Sequence, residues 1–212
     1  MTRLLFTLLI FFSIISFGQN ATDIKKRAQN FHDSLTKNNI DTVLNYTLKC
    51  VGYFTIIDTC NYFDAHYIFW KQRSKTYLQK IDDCNAYKAI LLDTANPLTF
   101  YIAQKKRIDQ EIIYPPAYVE YQHGDSGILI QQSIDHTCYY EMTFLINTKK
   151  KFKSVSDYDL RFKSFDNGRK NMYYNYNQQT QLKRLIEKIE QLIKQLDTNK
   201  KFEVSIRTES CP

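Results

Sequence analysis

Residues 134–146 alternate, with Ile134, His136, Cys138, Tyr140, Met142, Phe144 and Ile146 on one face and Asp135, Thr137, Tyr139, Glu141 and Thr143 on the other. A period of two over this length describes an extended strand with one buried and one wet face, because a helix would spread these side chains around its whole circumference. Such a strand needs partners, and its neighbours carry the same period. Ala117, Val119 and Tyr121 alternate with Tyr118, Glu120 and Gln122, a turn is expected at His123-Gly124-Asp125-Ser126, and Ile128 and Ile130 follow. Beyond a basic hairpin tip at 147–151, Tyr158, Leu160 and Phe162 face inward while Asp157, Asp159, Arg161 and Lys163 face outward. The prediction is a half-buried antiparallel meander.

Helices must cover its apolar face. Leu182, Leu185, Ile186, Ile189, Leu192, Ile193 and Leu196 form a wide stripe at helical spacing, with Glu190 and Lys194 placed to pair at i,i+4. Barely two heptads are present, so the stripe is expected to lie across the sheet, against residues such as Tyr140 and Phe144, rather than in a coiled coil. Near the start, Thr22 can cap a helix carrying Ile24, Ala28, Phe31 and Leu35. Asn38-Asn39 ends it, and Asp41 can cap a short second helix through Val43 and Leu44. Residues 51–57 are β-branched and aromatic and predict a strand. Phe63, Tyr67, Trp70, Ser74, Tyr77 and Ile81 then share one seam, which predicts a helix over 63–81. Residues 87–92 predict a short strand. Asn96-Pro97 looks like an N-cap followed by proline at the first helical position, opening a helix over 98–112. The period-two placement of Leu98, Phe100 and Ile102 is the competing strand reading. Residues 202–207 predict a final edge strand. The fold class is α+β: an antiparallel meander sheet packed by N-terminal helices and a long C-terminal amphipathic helix, one domain over 19–212 with a candidate sub-boundary near 83–86.

Residues 4–17 are apolar except for Thr7, Ser13 and Ser16, and Arg3 is the one charge before Asp23. Ser16 and Gly18 are small and sit three and one positions before Gln19, the spacing a signal peptidase accepts. Spanning hydrocarbon takes about 20 apolar residues, more than this run offers, and no cysteine follows the cut site to carry a lipid. The expectation is a cleavable signal peptide over 1–18, a mature chain from Gln19 without lipid or membrane span, and a secreted or periplasmic location. With 43% hydrophobic residues the remainder is a folded chain. The 16 Tyr and 14 Phe accompany abundant Asn and Lys, a composition that an AT-rich genome produces without any functional cause.

Charge is uneven. Residues 19–146 carry a net −1 and residues 147–212 a net +7. A basic stretch can face nucleic acid, an anionic surface or an acidic partner. Export argues against nucleic acid; a solvated Lys-rich face is the plain reading, and an acidic protein or anionic surface met through residues 147–170, with Lys149, Lys150, Lys151 and Lys153 at its centre, is the functional one.

Chemistry-bearing motifs are sparse. Cys50, Cys60, Cys84, Cys138 and Cys211 include no C-x-x-C pair, and an oxidising compartment permits disulfides while the odd number leaves a thiol over. Cys60 and Cys84 bracket the expected 63–81 helix, whose length of about 27 Å would require long flanks to fold back before the two could meet. Gly124-Asp125-Ser126-Gly127 spells the core of a trypsin-like nucleophile motif, yet Ile128 stands where that motif has another glycine, and a hairpin turn explains the residues. Catalysis through Ser126 is therefore not expected. His32, His66, His123 and His136 show no metal-ligand spacing, so neither a metal nor a cofactor is expected. His136 on the apolar face reads as a neutral core histidine, and Cys138 as a small buried hydrophobe. The Asp82-Asp83 and Asp157/Asp159 pairs read as solvated surface. If packing leaves a cavity, Trp70, Tyr77, His136 and Tyr140 are the candidates to line it.

Phe31, the run Asn39-Ile40-Asp41-x-Val43-Leu44, the following strand and the 63–81 helix resemble secreted NTF2-like cone proteins. That resemblance implies a bent sheet around a helix enclosing a pocket, used for binding and in some members for catalysis. Alternatively, the β-α-β-β-β-β-α order over 87–197 resembles TBP-like domains of exported bacterial proteins, with residues 20–82 as a helical appendage. Neither transfers a catalytic residue. The leading expectation is a non-catalytic binder of a small apolar molecule or a protein partner. An immunity or inhibitor protein against an exported toxin is the second, and an enzyme using His136 and Cys138 the third.

Overall fold

A computed structural model of the chain describes residues 20–52, 65–121 and 127–207, with side chains from Ile24 onward. The expected signal peptide, most of the expected 51–57 strand and the expected turn at 123–126 lie outside the described residues. Helix α1 (Asn20–Lys37) leads to β1 (Thr42–Cys50), β2 (His66–Gln72), β3 (Lys75–Ile81), β4 (Asn85–Tyr87) and β5 (Ile90–Leu92). Helix α2 (Pro97–Gln110) precedes a ribbon of β6 (Ala117–Tyr121) and β7 (Gly127–Gln131), then β8 (Cys138–Ile146) and β9 (Lys149–Ser156). Helices α3 (Asp157–Arg161), α4 (Tyr174–Gln179) and α5 (Gln181–Thr198) and strand β10 (Val204–Arg207) complete the chain. The α+β class is as expected.

The large sheet runs β10-β4-β3-β2-β1-β8-β9, with β5 sharing the outer edge of β3, and its pairings are antiparallel. Its two faces carry two cores. On one face Leu44, Tyr46, Phe69, Leu78, Tyr140, Met142 and Phe144 pack against Leu98, Tyr101 and Ile108 of α2 and Leu182, Leu185, Ile186 and Ile189 of α5. On the other, Val43, Ile68, Trp70, Ile81 and Leu145 pack against Ile24, Ala28 and Leu35 of α1. Each fully buried aliphatic side chain contributes about 1.5–3 kcal/mol, so the α5 stripe is a large part of what holds this helix to the sheet.

Several local expectations hold. Asn96 caps α2, its side chain accepting from the Thr99 amide at 3.0 Å with Pro97 behind it. Asn39 ends α1 at positive φ. Asn147 and Thr148, both at positive φ, form the two-residue turn between β8 and β9. The N-terminal helix already begins at Asn20, ahead of Thr22.

Others are corrected. The 63–81 helix is a hairpin, β2 and β3, whose turn places Arg73 at φ 57. Its seam residues divide between sheet faces: Trp70, Tyr77 and Ile81 lie beneath α1, while Tyr67 packs on the α5 side. The second helix at Asp41 is strand β1, clamped between β2 and β8. The strand over 134–146 starts only at Cys138. The return strand ends at Ser156, whose hydroxyl caps α3 at the Asp159 amide, so Tyr158, Leu160 and Phe162 do not lie on a strand. Lys183 pairs with Glu187 on α5, and no ion pair joins Glu190 to Lys194 among the described residues.

The candidate sub-boundary at 83–86 falls in the tight connection between β3 and β4. Here Asp82, expected on the surface, is 4% exposed. Its carboxylate accepts from the Cys84 and Asn85 amides and from the Tyr87 hydroxyl at 2.6 Å, while the Arg27 guanidinium of α1 donates to the carbonyls of Asp82, Asp83 and Asn85. Lys80, 2% exposed and 3.6 Å from Asp82, lies over the Tyr87 ring. Burial lowers its pKa and the Asp82 charge opposes that shift.

Candidate functional site

The four residues expected to line a cavity do not converge. Trp70 stacks on Tyr77 at 5.4 Å and meets Phe31 edge-on at 5.4 Å, filling the core beneath α1. Tyr140 lies on the opposite face of the sheet. His136 is not a core histidine: it is exposed, outside β8, against the backbone of Gly52. At φ +80, Gly52 occupies the left-handed region, and a Cβ there would fall 1.9 Å from the imidazole, so glycine is what lets the two segments approach. Cys138 is not a buried thiol either, since it is bonded to Cys50 directly across the β1–β8 ladder. A disulfide sulfur cannot serve as a thiolate nucleophile, which removes the expected His136/Cys138 pair. Cys84 is also disulfide-bonded, to a partner outside the described residues.

The basic segment is similarly divided. Strand alternation points Lys151 and Lys153 toward α2, where their ammonium groups donate to the carbonyls of Asp109 and Glu111 at 2.6 Å each. They cap the carbonyl end of α2, where cations are favoured. Burial and the neighbouring Lys151 charge lower the pKa of Lys153. Burial pushes the Asp109 carboxyl up, but hydrogen bonds from Lys105 and Tyr101 and the two lysine charges outweigh it and hold the group below the usual range. Lys149 and Lys150 remain exposed.

Tyr140 floors a cleft of about 300 Å³ between the sheet, α3, α4 and α5. Its hydroxyl donates to Asp157 at 2.7 Å, and Arg161 Nε pairs with the same carboxylate oxygen at 2.7 Å. Glu190, from α5, is half-buried beside them, its pKa raised by desolvation and by the Asp157 charge while Arg161 opposes. Tyr46, stacked behind Tyr140, is 2% exposed and its hydroxyl has no hydrogen-bond partner among the described residues. Burial and then the Glu190 charge push the Tyr46 phenol far above its ordinary range. Tyr140 is raised in the same direction by burial, by its hydrogen bond to Asp157 and by the Glu190 charge. Neither phenol can ionise near neutrality, so the cluster offers hydrogen bonds, not a tyrosinate base. Among the described residues no three His, Cys, Asp or Glu side chains converge as a metal cluster, and no helix is long and apolar enough to cross a membrane.

The β6–β7 ribbon exposes apolar side chains. Tyr118 packs edge-on against Phe165, and Arg169 joins Glu120 at 3.2 Å, tying one face of the ribbon to the 162–171 loop. Alternation leaves Val119, Tyr121 and Leu129 on the other face; Tyr121 is 75% and Leu129 47% exposed. Among the described residues the ribbon has two strands, so one edge of β7 has no strand partner there. At its base the Met172 amide donates to the Ala117 carbonyl, next to stacked Tyr114 and Tyr173. Hydropathy alternation placed this hairpin correctly from sequence. That it stands apart from the large sheet could not be read there, because separation depends on which strands claim the partners.

These features define the class: an α+β chain with one eight-stranded antiparallel sheet between helices, and an isolated apolar ribbon. No protein-family model matches the chain, and no curated protein or solved structure is similar enough to set beside it.

Proposed function

We propose that this chain works outside the cytoplasm as a non-catalytic, partner-binding protein that accepts an extended segment of another protein along the open edge of β7. The observation that carries this reading is the contrast between two sheet edges. Edge strand β9 of the large sheet carries Lys149, Lys150, Lys151 and Lys153, the device by which proteins discourage strand addition. The sequence of β7, Gly127-Ile128-Leu129-Ile130-Gln131, has no charge and no proline, and it is half of a two-stranded ribbon, a form marginal in water by itself. Backbone groups on such an edge supply affinity and alternate side chains supply specificity. A small apolar ligand has less to support it, because aromatic side chains fill both cores and the clefts among the described residues have charged and polar linings. The apolar 4–17 run and the Cys50–Cys138 disulfide support an oxidising, exported setting.

A photoreactive residue in place of Leu129, incorporated in the producing cell, is expected to yield one discrete crosslinked partner. The same residue at Leu91, 55% exposed on the large sheet, is the control, and Leu129→Lys should abolish capture without moving the melting temperature. Absence of an adduct at Leu129, or an equal adduct at Leu91, would refute the proposal.

A further inference from the structure

Helix α1 covers only part of its sheet face. Its apolar stripe of Ile24, Ala28 and Leu35 rests on Val43, Ile68, Trp70 and Leu145, and the strands continue beyond it with polar residues. Asn45 pairs with Thr143, and Thr47 with both Glu141 and His66. Beside this floor, Lys25, Gln29 and His32 follow one another at steps of four and three along α1, which places them on one wall. Lys150 and the 56%-exposed Phe152 of β9 form the opposite wall. The trough is open to solvent and measures about 240 Å³.

Its polar groups come from four strands and one helix. His66 Nδ1 lies 3.2 Å from Asn45 Oδ1, which sets the imidazole on the floor. His32 Nδ1 is buried without a hydrogen-bond partner among the described residues, with the Asp33 carboxylate 3.7 Å away. That nitrogen is closed to solvent, so other atoms of the ring line the trough. Lys25, Lys150 and Glu141 are in no ion pair among the described residues. The trough therefore combines two ammonium groups, two imidazoles and the hydroxyls of Thr47 and Thr143 against a single floor carboxylate, and an aromatic ring stands at its rim.

We infer that this trough binds a small oxyanion, a carboxylate or phosphate carried on a compact organic molecule, between Lys25 and His32 on α1 and Lys150 on β9. Charge-assisted hydrogen bonds from both walls hold the anion. Glu141 and Thr47 on the floor favour a ligand that also bears a hydroxyl or amino group, and Phe152 covers its apolar part. The site lies on the α1 face, apart from the ribbon, so its failure and that of the partner-binding reading are separable.

The test follows imidazole resonances of histidine-labelled protein during separate additions of inorganic phosphate, acetate and, for ionic strength, potassium chloride. The expected result is a saturable shift of the His32 and His66 signals, half-complete at or below about 1 mM, with exposed His136 unmoved. Saturation by phosphate alone or acetate alone supports the site and assigns the oxyanion, and saturation by both supports it with the shared chemistry. Lys150→Glu should weaken binding at least tenfold. Lys149→Glu makes the same charge change on the opposite face of β9 and should have less than a twofold effect. Shifts that chloride reproduces, that fail to saturate, or that weaken equally in the two lysine variants would overturn the inference.

Discussion

Replacing Ile189 with alanine tests whether α5 is fastened to the sheet as its stripe implies. Ile189 is fully buried, in one cluster with Leu185, Ile186, Tyr140 and Phe144. Truncating a buried isoleucine to alanine costs about 2–5 kcal/mol, and the cost rises with the cavity left behind. The upper part of that range is expected, because the facing aromatic side chains are held by cross-strand pairing and by stacking, Tyr101 on Phe144 for example, and cannot collapse into the void. A loss of about 4 kcal/mol is a large fraction of the 5–15 kcal/mol typical of a folded chain. At about 2–4 °C per kcal/mol for this size, the melting temperature should fall by about 8–16 °C. Urea unfolding followed by circular dichroism would show the midpoint lowered with an unchanged slope. Gln191→Ala, on the exposed side of the same helix, should stay within about 0.5 kcal/mol. A loss below about 1 kcal/mol for Ile189→Ala would mean that α5 is not packed through this stripe, and the burial argument would be wrong.

Two further outcomes follow from the core and its charges. The Cys50→Ser/Cys138→Ser double variant should lose about 4 kcal/mol, because the bond joins residues 88 apart and removing it restores unfolded-state entropy; an unmoved urea midpoint would contradict this. Burial raises the Asp159 carboxyl to about 6, above an unfolded value of about 3.9. The folded state then holds the extra proton between these values, so this group's contribution to stability is complete below about pH 4 and is lost as pH rises through about 6. The loss is of order 3 kcal/mol at most. Asp159→Asn should therefore be more stable than the parent at pH 7.5 and lose the advantage by pH 4; parallel stability curves would refute the assignment.

Elements that carry their own signal are legible in the amino-acid sequence alone. The α5 stripe, the Asn96-Pro97 start of α2, the α1 face and the 138–146 alternation each depend on residues within a few positions of one another, so local sequence determined them. The segment 66–81 could not be read this way. Its aromatic residues fit a helical seam, its turn at Arg73-Ser74 has none of the glycine or asparagine that marks a hairpin, and both of its faces are buried, which erases the alternation of a half-wet strand. Pairing with β1 decided its structure. The sites were less legible still. Cys50 meets Cys138 across 88 residues, Glu190 reaches Asp157 and Tyr140 from a different helix, and His32 and Lys150 line one trough from a helix and a strand. Composition determined that these groups exist, whereas only the antiparallel ladder, which sets register and face for every side chain at once, decided which of them meet.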